Sequence, residues 1–212
     1  MAKFKFRTPI TSCIREMKTN PKIRMESVTT QLPMKKAAKQ LTESKTPQEL
    51  LCLHGEMDGL TVLWTSEDDP EILGAVKILP ASEIFQDWEE VVYFDFTPED
   101  DRIRYFRPID FFADECSVGA YFNEPDTTQV DTSVYLYRFE GEPVNLCLNM
   151  PGYLKMLVAS KGFLYWQYAV LELLDGEENP TSQKFKQWMP QLFEDFSWDS
   201  YVSLYSEVRT SS

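Results

Sequence analysis

Residues 132–174 read TSVYLYRFEGEPVNLCLNMPGYLKMLVASKGFLYWQYAVLELL, and the spacing of their apolar side chains changes part-way along. In 132–139, Val134, Leu136 and Arg138 alternate with Tyr135, Tyr137 and Phe139. A period of two with both sets largely apolar predicts a strand covered on both faces. Glu140-Gly141-Glu142-Pro143 is a turn, and 144–148 reads as a further strand. From residue 150 the period is helical: Tyr153, Leu154, Leu157 and Val158 share a stripe that Gly162 ends. Residues 163–174 are apolar nearly all round and close at Asp175-Gly176, which predicts a buried helix.

The helical period continues downstream. In 181–196, Phe185, Trp188, Met189, Leu192 and Phe193 fall on one face with a break expected at Pro190, and 198–208 turns Trp198, Tyr201, Val202 and Tyr205 inward. Upstream, strands are predicted at 60–65, 74–79, 91–96 (a buried one), 103–106, 109–113 and 119–123. A short helical turn at 80–85 interrupts them. They are preceded by a helix that starts at Thr46-Pro47, carries Leu50, Leu51 and Leu53, and stops at Gly55. Asp58-Gly59 then supplies a turn favouring positive φ. A helix, a run of strands and a closing set of helices make an α+β layered domain.

Charge divides the chain differently. Residues 1–45 hold eleven Lys and Arg against Glu16, Glu26 and Glu43, a net of +8, and are expected as a basic N-terminal arm or peripheral layer, weakly ordered over 1–30. The remaining 46–212 form the α+β domain and carry a net of −21, in a chain of 212 residues whose overall charge is −13. Such a field repels nucleic acid from the body and draws in a basic protein partner. No stretch reaches the ~18–20 uninterrupted apolar residues of a membrane span. The charged N-terminus lacks the apolar stretch of a secretory signal, so cytoplasmic is the expected compartment.

Little in the sequence points to catalysis. Cys13, Cys52, Cys116 and Cys147 are scattered with no CxxC pair, and read as reduced small hydrophobes. His54, the only histidine, reads as a capping or surface residue, two positions from Cys52 and so on a different side of a helix. GxGxxG, GxxxxGK[ST], GxSxG and HExxH are all absent, so no cofactor and no metal is expected. The adjacent acids Asp68/Asp69, Asp100/Asp101, Asp114/Glu115 and Glu177/Glu178 leave a hydrolase using paired carboxylates as the lesser reading. Trp64, Trp88, Tyr93, Tyr105 and Phe106 are expected in the core.

The acidic side chains have a second reading. Asp68, Asp69 and Glu71, then Glu99, Asp100 and Asp101, then Glu124 and Asp126, all lie on strand connections. Sharing one rim of the sheet, they would line a surface for a cationic protein; otherwise they are solubilising turns.

The order of motifs over 46–175 resembles the SUKH superfamily, the group of the yeast cell-wall assembly regulators and many bacterial immunity proteins. The resemblance is carried by Gly55-Glu56-Met57-Asp58-Gly59-Leu60 before the Trp64 strand, Gly74-Ala75-Val76-Lys77-Ile78-Leu79-Pro80, the lone Trp88, and Phe106 to Asp114. Gly119-Ala120-Tyr121-Phe122-Asn123 and Val134-Tyr135-Leu136-Tyr137-Arg138 complete it. Asp58-Gly59 stands where the family has Asn-Gly. The resemblance implies a non-enzymatic domain on a mostly antiparallel twisted sheet of about six strands flanked by helices. Bacterial members imply an immunity-type protein that binds and blocks a toxin, often a nuclease; yeast-like members imply an intracellular scaffold or regulatory interaction domain.

Overall fold

Seven strands follow one another across a single sheet, each antiparallel to the next: β1 (Ile23–Thr30), β2 (Leu60–Ser66), β3 (Leu73–Ile78), β4 (Phe106–Ala113), β5 (Cys116–Tyr121), β6 (Ser133–Arg138) and β7 (Val144–Asn149). The computed structural model describes residues 5–31, 49–124, 131–139 and 141–210. The α+β class is as expected, with seven strands in place of about six. The helices are α1 (Arg7–Thr19), the one-turn α2 (Ala81–Ile84), α3 (Met150–Ala159), α4 (Gln167–Asp175), α5 (Pro180–Leu192) and α6 (Trp198–Val208). Among the described residues none is long and apolar enough to cross a membrane.

The extra strand and a first helix come from 7–30, where a weakly ordered arm or peripheral layer is expected. On α1, Ile10, Cys13, Ile14 and Met17 recur at helical spacing and are all buried. They meet Leu60, Val62 and Val76 of the sheet and Leu157 and Val158 of α3. The Glu56 carboxylate accepts from the backbone N–H groups of Phe6 (3.4 Å) and Arg7 (3.0 Å), satisfying donors at the open end of the helix. β1 then pairs with β2 from Ile23↔Ser66 to Thr30↔Leu60, slipping once between Met25 and Ser27.

Register sorts the side chains onto two faces. Val62, Val76, Ile78, Asp110, Val118 and Leu136 point to the helices, whereas Ser117, Tyr135 and Tyr137 point to the opposite face. On the helical side Trp64 lies edge-on to Phe163 and Phe193, and its Nε1 donates to Lys161 O at 2.8 Å. A Cβ at Gly74 would stand 2.1 Å from that Nε1, so the residue beneath the indole has to be glycine. Gly59, at φ +101°, makes the turn expected of Asp58-Gly59, while Asp58 Oδ1 accepts from Ala81 N at 2.9 Å.

Four expectations change in detail. The helix expected over 46–55 begins outside the described residues; 49–56 is a chain of turns closed by bonds such as His54 N to Leu51 O, with Leu50, Leu51 and Leu53 buried. Residues 103–106 are not a strand, because the Asp101 carboxylate caps a 3₁₀ turn (Arg102–Tyr105) by accepting from Ile103 N at 2.9 Å. Of 163–174, only the part from Gln167 is helical. Pro190 does not break α5, which opens on an Asn179–Ser182 capping box and runs to Leu192.

His54 is buried rather than at the surface. Its Nε2 donates to Leu79 O at 2.8 Å. None of the four cysteines is in a disulfide.

Candidate functional site

The face of the sheet away from the helices is crossed by residues 80–105, and this strap is where the sequence departs furthest from ordinary surface composition. From Pro80 to Asp101 it holds eight carboxylates (Glu83, Asp87, Glu89, Glu90, Asp95, Glu99, Asp100, Asp101) and no Lys or Arg. All eight residues are exposed.

Buried side chains fasten it, Ile84, Trp88 and Val92 among them. Trp88 packs 5.7 Å from Phe111 and donates from Nε1 to Ile84 O at 2.9 Å. Val92 is buried, and its carbonyl accepts from Tyr137 OH at 3.2 Å. Arg104 gathers the far half: its guanidinium donates to Pro98 O (2.9 Å), Thr97 O and Phe94 O (3.4 Å) while lying 5.0 Å from the centre of the Tyr93 ring. The Tyr93 hydroxyl donates to Asp87 at 2.5 Å, and that bond holds the Asp87 carboxyl below its usual range.

Held in this way, 91–96 is not the buried strand its composition predicts. Carbonyls that would bond to a neighbouring strand are taken by Tyr137 and Arg104, and Glu90 turns the chain through φ +65°. Phe94 and Thr97 close a tight turn from both sides, with Thr97 N donating to Phe94 O (2.9 Å) and Phe94 N donating to Thr97 Oγ1 (3.0 Å). Asp95 and Phe96 sit at its tip. The Phe96 ring is 79% exposed and stacks parallel on Phe94, 5.3 Å between centres; Phe94 meets Phe139 edge-on at 6.0 Å, and Phe139 is itself 48% exposed. The result is a patch of aromatic rings among carboxylates on a fixed strap.

The acids singled out in the sequence divide between the two ends of the sheet. Successive connections of an antiparallel meander alternate ends. The β2–β3 connection, with Asp68, Asp69 and Glu71, therefore lies at one end. Glu99, Asp100 and Asp101 lead into β4 at the other end, where Glu124 follows β5. A single rim carrying the whole set is not formed. Asp126 lies outside the described residues.

Several of these acids also have local work. Asp69 Oδ1 accepts from Glu71 N at 2.9 Å, and Asp101 caps its 3₁₀ turn. Glu124 takes Arg102 in a two-point pair (2.6 and 3.2 Å), while Arg102 also reaches Asp131 at 3.1 Å and lies 3.7 Å over Tyr121. That cluster braces the strap against β5 and β6.

Among the described residues no group of three or more His, Cys, Asp and Glu is placed to hold a metal ion. Two grooves of about 470 Å³ lie elsewhere. One, between α1, α3 and α6, is walled mainly by Ile10, Leu154, Val158, Tyr201 and Leu204. The other brings Glu16 and Asp195 together, but Lys161 Nζ stands between them at 2.9 and 3.3 Å.

Neither a scan of protein-family models nor searches of curated proteins and of solved structures finds a match for this chain.

Trp64, Trp88 and Phe106 are buried as expected, and Tyr93 and Tyr105 are half-buried. Phe94, Phe96 and Phe139 were not singled out by the sequence reading. The available signal was the apolar run 91–96 bracketed by Glu89-Glu90 and interrupted by Asp95, since a strand buried on both faces seldom carries a carboxylate between two aromatics.

Proposed function

We propose that this protein is a non-enzymatic binding module that captures one basic protein through its acidic strap and blocks it, in the manner of a cytoplasmic immunity protein against a nuclease-like toxin. The observation that carries the reading is the run of eight exposed carboxylates with no basic side chain across 80–101, arranged around exposed rings. Charged residues at a rim steer encounter, and desolvated aromatic rings at the centre supply affinity. A nuclease site is basic because its substrate is anionic, so a carboxylate surface suits it. The SUKH-like order of motifs favours the same assignment.

The test is capture of partners by the tagged protein from its native extract at low and high salt, followed by assay of the purified partner with and without the protein. The expected result is one stoichiometric basic partner whose activity falls at a 1:1 ratio. Several substoichiometric partners with unchanged activities would replace the inhibitor with a scaffold. An empty capture at low salt would overturn both.

A further inference from the structure

We infer that the stacked pair Phe94–Phe96, with Phe139 at its side, is the anchor of that interface, and that its occupant is an arginine- or lysine-bearing segment of the partner whose cation lies over the outer face of Phe96, between the carboxylates of the strap. The inference rests on the reading of the protein as a binder of a basic partner and names the place and chemistry of contact.

Three observations carry it. Phe96 is four-fifths exposed at the tip of a turn and its ring lies parallel to Phe94, 5.3 Å between centres, so the face turned away from Phe94 is open to solvent. The negative face of a benzene ring attracts a cation, and does so more strongly as water leaves. The same surface already shows the geometry, with Arg102 over Tyr121 at 3.7 Å, Arg104 over Tyr93 at 5.0 Å and Lys77 beside Phe111 at 5.5 Å.

Second, the rings need no rearrangement. The Phe94–Thr97 turn is closed in both directions and its carbonyls are pinned by Arg104, so little ordering cost falls on the protein side. Third, the charge is complementary over more than one contact. Asp95 shares the turn tip with Phe96, and Glu99 and Asp100 follow immediately after Pro98, so a cation over the ring lies within reach of fixed acidic chain on both sides. A purely apolar partner would have to bury these carboxylates unpaired, which is costly.

The experiment uses the full chain and a defined probe, a synthetic ten-residue peptide of alternating arginine and glycine, titrated calorimetrically at two salt concentrations. Four proteins are compared: the parent, Phe96→Leu, the strap triple Asp95→Asn/Glu99→Gln/Asp100→Asn, and a β2–β3 loop triple Glu67→Gln/Asp68→Asn/Asp69→Asn. Phe96→Leu keeps an apolar side chain at an exposed position and removes only the ring. Thermal unfolding checks that each variant is folded.

The expected result is a three- to ten-fold weaker affinity for Phe96→Leu, a larger loss for the strap triple, and less than a two-fold change for the β2–β3 loop triple, which lies near the other edge of the sheet. Parent affinity in Phe96→Leu together with a loss in the strap triple would overturn the ring anchor and leave the acidic strap as the binding surface. Equal losses in the two triples would show that the peptide reads overall charge and would overturn the anchor. Binding that ignores both triples and salt would overturn the underlying reading of a basic partner as well.

Discussion

Asp110 sits wholly inside the protein, on the helical face of β4, with no cation beside it. Its Oδ1 accepts from Lys77 N at 2.8 Å and its Oδ2 from Tyr153 OH at 2.7 Å, and Tyr153 OH in turn accepts from Gln167 Nε2 at 3.2 Å. Burial outweighs these bonds and pushes the carboxyl pKa up to about 6 from 3.8. The folded chain therefore holds this proton more tightly than the unfolded one. Its contribution to stability is fullest below pH 3.8, is lost as pH rises to about 6, and is then flat, a span of about 3 kcal/mol. His54 acts with the opposite sign. Burial lowers its pKa from 6.5, so above pH 6.5 both states are neutral, and stability is lost as pH falls because the unfolded chain is protonated first. Asp110→Asn should thus steepen the loss of stability on acidification from pH 7 to 4, and His54→Gln should make it shallower. Urea midpoints measured across that range check both, and parallel curves for parent and variants would contradict the assignment.

At the scale of elements, the strap behaves as a separate part laid on the sheet. It is fastened from inside by buried side chains including Trp88 and Val92, its 94–98 part is gathered by the Arg104 guanidinium, and Arg102 ties its end to Glu124 and Asp131. Arg104→Gln removes the donor fork that spans Phe94 O to Pro98 O while leaving every sheet ladder intact. Amides of 93–97 should then exchange about ten-fold faster with those of β4–β6 unchanged, and binding of the arginine peptide should weaken; unaltered exchange in 93–97 would show that this part of the strap is held without the Arg104 fork. The same division explains what the sequence revealed. The helices after residue 150 were legible because each shows its own apolar stripe, and β2, β3, β6 and β7 because alternation or a continuous apolar run marks a strand. α1 was obscured because its stripe of Ile10, Cys13, Ile14 and Met17 is set among Arg7, Arg15 and Lys18, so overall basic charge outweighed period. The strap was misread because 91–96 satisfies β propensity, and nothing local announces that Tyr137 and Arg104, from the sheet and its 3₁₀ lead-in, will occupy its carbonyls. The split of the acidic loops between two ends is a property of topology, which composition does not contain.

For the whole molecule, the exposed basic residues of α1 and the acidic strap lie on opposite sides of the sheet, while further carboxylates, among them Glu177, Glu178 and Asp199, lie with the closing helices. Arg7, Arg15 and Lys18 are exposed on α1, over the helical face near the β1 edge, and the eight carboxylates of 80–101 lie across the other face. The basic residues of α1 make the helical side less attractive to a cation than the strap, where 80–101 carries carboxylates and no basic side chain. The difference is measurable as an association rate. Arg15→Gln/Lys18→Gln and Glu99→Gln/Asp100→Asn each change the net charge by two, in opposite senses, at exposed positions. If net charge alone governed capture, the first pair would speed association of the arginine peptide by as much as the second slows it. With capture at the strap, the second pair should slow association several-fold at about 0.1 M salt and the first should change it little, because α1 lies beyond a Debye length of about 10 Å from an approach to the opposite face. Stopped-flow rates at that ionic strength distinguish the two. Both effects should shrink as salt rises, with dissociation nearly constant, since steering acts before contact and the rings act after it.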